Sequence, residues 1–292
     1  MPNPRAEYSP IFDRPRLTLP DGAKVAVWFI INVEEWDIGQ PMARTVLPSP
    51  QGAAVSPDIP NYSWYDYGMR VGFWRMKRIL DDFNLPCTIS LNAAVCEEYP
   101  QMVQSCLDSG WELLGHGYVQ QVLHREPDER ATIHKTIEVI REFSGKAPRG
   151  WMGPGLAETY DTPDILAEEG FEYVADWVND DQPYEIKVKS GRLVALPYTV
   201  ELNDIPIYLV QHHSAPELFN RTKDVLDVML GEGEDNARVF AISMHPYITG
   251  AAHRIGHFRR LVEYITQQDG VTFWTGSGIL DWYNGQVGYT SR

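Results

Sequence analysis

The chain has 292 residues, of which 43% are hydrophobic and 22% charged, as is typical of a globular protein with a sizeable core. Lysine and arginine number 25 against 40 aspartate and glutamate residues, which gives a formal net charge of -15. A surface this acidic repels nucleic acid and anionic membranes, so we expect the partner to be a small-molecule substrate.

Three further features bear on the compartment. Residues 1–20 lack the basic-then-apolar pattern of a signal peptide, and no stretch is long and apolar enough to cross a membrane. The three cysteines have no CxxC spacing, and we expect buried free thiols; they are Cys87, Cys96 and Cys106. Together these features predict a cytoplasmic protein.

The first half of the chain alternates apolar runs with amphipathic stretches. KVAVWFIIN (24–32) is predicted to be a buried strand, and a proline-rich loop follows over 38–62. Apolar residues then recur with helical spacing from Tyr67. CTISLN (87–92) is predicted as the second strand, with a helix over 95–108 and a third strand at WELLG (111–115).

The second half continues in the same way. Helices are predicted in five segments: 127–143, 162–170, 215–230, 253–267 and 276–285. Strands are predicted in six: APRGWMG (147–153), FEYVADWV (171–178), RLVALPYTV (192–200), DIPIYLV (204–210), ARVFAISMH (237–245) and VTFWTG (271–276). These β–α units show no composition shift, which favours one α/β domain over 1–292 with 1–20 as an N-terminal extension. A parallel barrel is the natural closure at this length, and no GxGxxG follows the first strand to favour an open doubly wound sheet.

Polar and aromatic residues follow nearly every predicted strand. In a parallel barrel the carboxyl ends of the strands meet at one mouth, where catalytic residues lie. The sequence therefore predicts a pocket with polar groups and apolar walls at that mouth. The candidate residues there are Glu34, Glu35, Asn92, His116, Trp151, Asp176, Trp177, Glu201 and His245.

Catalytic roles are predicted for five residues, namely Glu34, Glu35, His116, His245 and Arg149. Glu34 or Glu35 would act as the base, and neighbouring positions on an extended strand point to opposite sides, so the pair leaves open which one faces the pocket. His116 lies between two glycines that allow close approach of a ligand. His245 ends a buried strand and is a candidate general acid. Arg149 could pair with a glutamate and hold it ionised, or form a salt bridge at the rim.

The other histidines are less favoured. His253 and His257 have the spacing of a metal pair on a helix, but neighbouring arginines disfavour a cation, so we predict a solvated face. We also predict surface positions for the rest, His124, His134, His212 and His213.

Six motifs occur in the order found in one known family. NVEEW, HGYVQ, PRGWMGPG, DWVNDDQPY, PYTVELND and ISMHPYI resemble the motifs of the polysaccharide deacetylase (NodB-homology) superfamily. NYSWYDYGMRVGFWR is similar to a segment of its cytoplasmic allantoinase-like and cyclic-imidase-like branch. The resemblance covers about residues 20–285. It implies a distorted, TIM-like (β/α) barrel of about seven strands, hydrolysis of a non-peptide C–N bond, and a homo-oligomer, either a dimer or a tetramer.

The resemblance also implies roles for individual residues. The family's acidic pair falls on Glu34, as general base, and on Glu35, as metal ligand. Its two metal histidines fall on His116 and Gln120, and its base-orienting arginine falls on Arg149. The histidine that protonates the leaving group falls on His245.

Two departures from the family pattern weaken a metal site. Glutamate replaces aspartate in the acidic pair, and Gln120 replaces a histidine although glutamine is a poor zinc ligand. The glutamate side chain is longer than that of aspartate and so moves the carboxylate oxygen, whereas metal–ligand distances must hold to about 0.2 Å. We therefore expect no cofactor; if zinc or another divalent metal binds, Glu35 and His116 would hold it.

Chemistry without a metal narrows the substrate class. A positioned carboxylate alone accelerates a reaction by a factor of about 10² to 10⁴. This acceleration suits a strained or electron-poor ring better than an unactivated acetamide. Tryptophans could sandwich a planar ring, and the predicted substrate contacts are Trp36, Trp64, Asn92, Gln120, Trp151, Asp176, Trp177 and Glu201.

The sequence thus predicts a hydrolase that opens a cyclic amide, imide or ureide. Two alternatives remain open at this point. One is a metal-dependent deacetylase of an N-acetyl or N-formyl compound. The other is a catalytically silent barrel that binds a heterocycle.

Overall fold

The computed structural model describes residues 3–49, 52 and 55–290. Within these residues, nine strands form one curled sheet. The strands are β1 (Val25–Val33), β2 (Thr88–Leu91), β3 (Glu112–Gly115), β4 (Gly150–Trp151), β5 (Tyr173–Val174), β6 (Tyr184–Ile186), β7 (Leu193–Ala195), β8 (Arg238–Met244) and β9 (Val271–Phe273). The helices are α1 (Ile59–Tyr67), α2 (Phe73–Asp82), α3 (Val95–Glu98), α4 (Pro100–Asp108), α5 (Glu129–Ser144), α6 (Thr162–Glu168), α7 (Glu217–Glu232), α8 (Ile255–Ile265) and α9 (Gly276–Gln286).

The order of the strands confirms the predicted distorted barrel. Eight strands run in the order β6-β7-β5-β4-β3-β2-β1-β8, and β9 pairs with the first part of β1. Each of these pairs is parallel except β6–β7, which is antiparallel. The described chain therefore has nine strands, where the family resemblance implied about seven. The short β6 lacks an apolar run and was not predicted from the sequence.

The first strand is buried on both faces, as its continuous apolar sequence predicted. Its odd-numbered residues, such as Phe29, pack in the cluster that includes the apolar residues of α2, α7 and α8. Its even-numbered residues, such as Trp28 and Ile30, face the barrel interior with Tyr173 and Tyr198. This alternation fixes the register of β1, since a slip of one residue would exchange the two faces.

The barrel is completed by irregular backbone between β7 and β8. A parallel bridge joins Asn203 to Ser243 of β8. The prediction of a strand over 204–210 is wrong, because Ile205–Val210 forms a wide helical turn. Pro206 at its start has no N–H to donate to a sheet, and the turn brings Asp204 to the carboxyl end of β8.

The loop after β1 is shorter than the predicted 38–62. Helix α1 begins at Ile59, because the side chain of Asp58 accepts from the Asn61 N–H and Pro60 occupies the first turn, where proline is favoured. A wide turn over Gly68–Gly72 then connects α1 to α2.

Other expectations are confirmed. The predicted helices all form, although the one over 95–108 is interrupted before Pro100. The three cysteines are buried and unpaired. His124, His134, His212, His213 and His253 are exposed, and His257 is half-exposed beside Arg260. Among the described residues, no helix has the length and apolarity needed to cross a membrane.

Candidate active site

Glu34 lies directly after β1 and is only 4% exposed. Its Oε1 accepts a hydrogen bond from Gln120 Nε2 at 2.8 Å, and its Oε2 accepts from Trp36 Nε1 at 2.9 Å. His245 Nε2 lies 3.5 Å from Oε1. Burial raises the pKa of Glu34, but the nearby His245 and the other donors outweigh it and lower the pKa below its usual value. Glu34 is therefore an ionised carboxylate at neutral pH.

His245 lies directly after β8 and joins two carboxylates. Its Nδ1 donates to Asp204 Oδ1 at 2.7 Å, while Nε2 faces Glu34. Asp204 is fully buried, and its Oδ2 accepts from the His245 N–H at 2.8 Å and from the Thr249 hydroxyl at 2.7 Å. Burial lowers the pKa of His245, but Asp204 and Glu34 outweigh it and raise the pKa to about 9. His245 is therefore a protonated imidazolium that can donate from Nε2.

His116 follows β3 and, unlike His245, is neutral. Its Nδ1 donates to the Met152 carbonyl oxygen at 2.5 Å, which leaves Nε2 as the free ring nitrogen. Burial lowers the pKa of His116, and the charge of Glu34 offsets this only in part. A neutral imidazole with this tautomer offers a lone pair on Nε2. Glu34, His116, Gln120, Asp204 and His245 form what we call the candidate catalytic cluster.

Glu35 faces away from this cluster. Its carboxylate accepts from the Tyr65 hydroxyl at 3.2 Å, and its nearest charged neighbours include Glu98 and Asp37. Burial raises the pKa of Glu35 to about 7. The two glutamates thus point to different surroundings, as expected for consecutive extended residues, and Glu34 is the one that faces the two histidines.

Asn92 has a positioning role. It is fully buried after β2, its Oδ1 accepts from the Glu35 N–H at 2.8 Å, and its Nδ2 donates to the His116 carbonyl. The backbone N–H of Gln120 also donates to the Glu35 carbonyl at 2.9 Å. These bonds tie the ends of β1, β2 and β3 together and hold the side chains of the cluster in register.

An aromatic wall borders the cluster. Trp36 stacks on Tyr65 with ring centroids 5.1 Å apart, and it meets Tyr247 edge-on at 5.9 Å. The ring of Trp64 also lies edge-on to Tyr247, with ring centroids 5.5 Å apart. The structure therefore brings two predicted substrate contacts, Trp36 and Trp64, to the same side of the site.

Arg149 does not reach the cluster, contrary to the catalytic role predicted for it, and it forms the rim salt bridge that the sequence left open as the alternative. It precedes β4 and therefore lies at the amino end of the strands, opposite the carboxyl end that carries Glu34. Its guanidinium binds Glu172 at 2.6 Å and Asp281 at 2.7 Å. Arg149 therefore joins the start of β5 to α9, and Gln120, Trp36 and His245 hold Glu34 instead.

Two other predicted substrate contacts also lie elsewhere. Trp151 is fully buried and packs edge-on against Phe171 in the cluster that includes residues of α5 and α6. The next residue, Met152, faces the interior. Glu201 is exposed in the short helical turn Val200–Leu202. Neither residue can contact a ligand held at Glu34.

Asp176 and Trp177 line a separate cavity of about 1150 Å³. Asp176 Oδ1 accepts from the Gly153 N–H at 2.8 Å. Glu158 shares this cavity, and burial raises its pKa to about 7 while also raising that of Asp176 well above its usual value. Since Gly153 directly follows Met152, the partner of His116, this cavity adjoins the candidate catalytic cluster.

The residues that the family would use for a metal do not converge. Glu35 binds Tyr65 whereas His116 binds Met152, and Gln120 is committed to Glu34. Across the described ranges, no group of three or more histidine, cysteine, aspartate or glutamate side chains has metal-binding geometry. A divalent metal site normally draws on three or more such ligands, so the residues present do not fit one.

Asp204 is the member of the cluster that the sequence did not predict. It ends the motif PYTVELND and begins the segment 204–210, which was predicted as a strand. A proline two residues later, at 206, is the signal that argues against a strand. Once the segment 204–210 is taken as a turn and not as a strand, Asp204 is a candidate partner for His245.

An ionised carboxylate, a protonated histidine and a neutral histidine at the mouth of a (β/α) barrel define a hydrolase site. The family model for polysaccharide deacetylases matches residues 57–174. A candidate polysaccharide deacetylase of Schizosaccharomyces pombe is 27% identical, over 86% of this chain and 88% of its own length. A peptidoglycan deacetylase of Helicobacter pylori is 22% identical, over 72% of this chain and 83% of its own.

Among solved structures, PuuE allantoinase is similar over 98% of this chain and 100% of its own, with a TM-score of 0.84 and 25% identity. These matches show that the chain is similar to the polysaccharide deacetylase family, as the sequence motifs predicted, and the allantoinase structure supports the allantoinase-like branch. The predicted enzyme class is also confirmed, as a hydrolase of non-peptide C–N bonds.

The Asp204–His245 contact predicts a measurable titration. Because Asp204 raises the pKa of His245 to about 9, Asp204→Asn is expected to lower that pKa toward the ordinary value of about 6.5. A raised histidine pKa stabilises the fold below about pH 6.5, and that contribution is lost as the pH rises through about 9. Imidazole NMR titration of His245 in both proteins measures the shift, and an unchanged pKa would contradict the assignment.

The new position of Arg149 predicts a loss of stability without a loss of catalysis. Its ion pairs are partly exposed, so Arg149→Met is expected to cost about 0.2–1 kcal/mol of unfolding free energy for each pair. Urea unfolding measures this cost, and the rate with any substrate of the wild type should be unchanged. A folded variant that is catalytically inactive would return Arg149 to the active site.

Proposed function

We propose that this protein opens a cyclic amide, imide or ureide, with Glu34 as the base that activates water. The observation that carries the proposal is the charge pattern of the cluster. Glu34 is ionised, His245 is protonated, and His116 is neutral with Nε2 free. A base and an acid are thus present together at neutral pH, in the forms that hydrolysis requires.

The reaction follows from these positions. Glu34 and the Nε2 of His116 are both hydrogen-bond acceptors, so together they can hold a water molecule by its two hydrogens. Glu34 takes one proton as the water oxygen attacks the ring carbonyl. His245 Nε2 then gives its proton to the ring nitrogen as the C–N bond breaks, and the proton held by Glu34 restores His245. The product is one open-chain molecule with a carboxylic acid, which releases its remaining proton to solvent, and with an amine, an amide or a ureide according to whether the ring was an amide, an imide or a cyclic ureide.

The lack of fit for a metal supports the choice of a ring substrate. Without a Lewis acid, the carboxylate accelerates the reaction by a factor of only about 10² to 10⁴. A substrate whose carbonyl is already electron-poor or strained is therefore favoured. The rings of Trp36, Trp64 and Tyr247, in which Tyr247 meets the other two edge-on, form an apolar border beside Glu34, and aromatic side chains of this kind suit a planar ring. The similarity to PuuE allantoinase points to the same class of substrate.

A second candidate function is deacetylation of an N-acetyl compound. The match to the polysaccharide deacetylase family model and the similarity to the H. pylori peptidoglycan deacetylase favour it. This function would need a metal that uses Glu35 and His116, and the present rotation of Glu35 toward Tyr65 opposes it.

Turnover of a substrate panel tests the choice of substrate and base. We expect activity on some members of a set of hydantoins, dihydropyrimidines, succinimide and allantoin, and none on N-acetylglucosamine oligomers. Glu34→Gln should lower kcat by about 10² to 10⁴. The matched variant Glu35→Gln should retain most activity, because Glu35 does not face the histidines. Equal losses in the two variants would contradict the assignment of Glu34 as the base.

Metal analysis tests the chemistry directly. The purified protein is expected to hold far less than one equivalent of zinc and to keep its activity after dialysis against a chelator. Elemental analysis and the rate before and after dialysis provide the measurement. Stoichiometric zinc, with activity lost on chelation and regained on adding zinc, would favour the deacetylase function.

A further inference from the structure

Tyr247 has a buried hydroxyl that the mechanism above does not use. The residue is 3% exposed, and among the described residues its Oη is out of contact with solvent and its hydrogen has no acceptor. Leaving a buried donor unpaired is costly. An orphaned donor at this position suggests that a ligand completes it.

The ring of Tyr247 belongs to the wall of the site. It lies edge-on to His245 with centroids 5.8 Å apart, and edge-on to Trp36 at 5.9 Å. Both neighbours contact Glu34. Burial and the charge of Glu34 both raise the pKa of Tyr247 well above its usual value. The hydroxyl therefore keeps its hydrogen at neutral pH.

Arg44, on the loop after β1, offers this hydroxyl no acceptor. It acts on Tyr247 as a positive charge and as a hydrogen-bond donor, and a guanidinium carries donors only. The Tyr247 hydrogen therefore remains free to bind an acceptor on a ligand, and the Arg44 cation partly offsets the negative charges of Glu34 and Asp204 at this position.

Close backbone packing fixes the position of Tyr247. The glycines of the Gly68–Gly72 turn touch the segment that follows His245. A Cβ at Gly68 would lie 2.5 Å from the Tyr247 N, and one at Gly72 would overlap the Pro246 carbonyl oxygen. A Cβ at Gly250 would in turn overlap the backbone of Gly72. Only glycine permits this approach, so Tyr247 is held on a rigid support.

The proposed reaction lacks one component that Tyr247 can supply. Attack on a carbonyl makes an oxyanion, and preorganised donors at that oxygen are a major source of catalysis. Within the cluster, His116 Nε2 carries no hydrogen, one of the two N–H groups of Gln120 Nε2 donates to Glu34, and the His245 proton is needed by the leaving nitrogen. The side chains of the cluster therefore leave at most the second N–H of Gln120 for the oxyanion, and a further donor would strengthen its stabilisation.

We propose that the Tyr247 hydroxyl is a catalytic residue that donates a hydrogen bond to the substrate carbonyl oxygen as it becomes an oxyanion. This role rests on the proposed function and takes the place of the Lewis acid that the cluster does not fit. No proton is transferred from Tyr247. The hydrogen bond strengthens as charge develops on the oxygen and weakens again when the C–N bond breaks.

The test uses Tyr247→Phe, which keeps the ring and removes only the hydroxyl. Loss of one oxyanion donor is expected to lower kcat by about 10² to 10³, with KM little changed because the effect is confined to the transition state. The matched control is Tyr173→Phe. Its hydroxyl is equally buried and donates to Glu112 at 2.9 Å, at the opposite end of the barrel, so kcat should be unchanged.

A binding measurement keeps this proposal separate from the proposed function. Barbiturate is a planar ring whose carbonyl oxygens carry negative charge and so imitate the oxyanion. We expect calorimetry to show binding to the wild type that Tyr247→Phe weakens at least about tenfold, the size of one lost hydrogen bond.

The outcomes are distinct. If ring amides turn over and Tyr247→Phe retains kcat, the role of Tyr247 is overturned and the proposed function stands. If no ring amide turns over, the proposed function fails, and barbiturate binding then tests the role of Tyr247. Equal affinity of barbiturate for the wild type and Tyr247→Phe, or no binding to either protein, overturns the role of Tyr247.

Discussion

The site depends on a line of buried charges in which His245 lies between Asp204 and Glu34. Taking ions out of water is costly, and the cost is offset only when each charge has close partners of opposite sign. Asp204 meets this condition through His245 and Thr249, and Glu34 meets it through His245, Gln120 and Trp36. The adjacency of β1 and β8, paired in parallel from Val25 to Ile31, brings the two carboxyl ends together. The order of the sheet is thus a requirement of the electrostatics as much as of the packing.

Much of this arrangement could be predicted because strand ends follow from apolar runs. The long runs of β1 and β8 mark their own ends, so Glu34 and His245 were correctly placed at the barrel mouth, and His116 followed from the shorter run of β3. Asp204 was missed because it enters from irregular backbone, and no periodicity marks the end of such a segment. Its position depends on the Ile205–Val210 turn, which forms where the sheet leaves a gap between β7 and β8.

Two errors of placement have simple physical causes. Arg149 comes before its strand, and in a parallel barrel a residue before a strand lies at the face opposite the active site. Trp151 is one position from Met152, and neighbouring residues of a strand face opposite sides, so a shift of one residue separates the outer core from the pocket. In both cases the strand itself was correctly located. The end of the strand at which Arg149 lies, and the side of the strand to which Trp151 points, were not. The resemblance to a family motif did not correct either, because a motif matches sequence order and carries no side-chain direction.

The replacement of a metal-site histidine by Gln120 has a consequence for the whole cluster. Glutamine cannot carry a charge, and here its amide donates to Glu34 instead of holding a cation. With His116 neutral, the cluster has two carboxylates, Glu34 and Asp204, against one imidazolium, and so remains anionic. An anionic cluster can hold water and draw a proton from it, but it opposes the negative charge that forms on the carbonyl oxygen. Stabilisation of that oxygen therefore gains from a donor outside the cluster, and the aromatic wall that carries the Tyr247 hydroxyl adjoins it, where the Arg44 cation partly offsets the charge of Glu34.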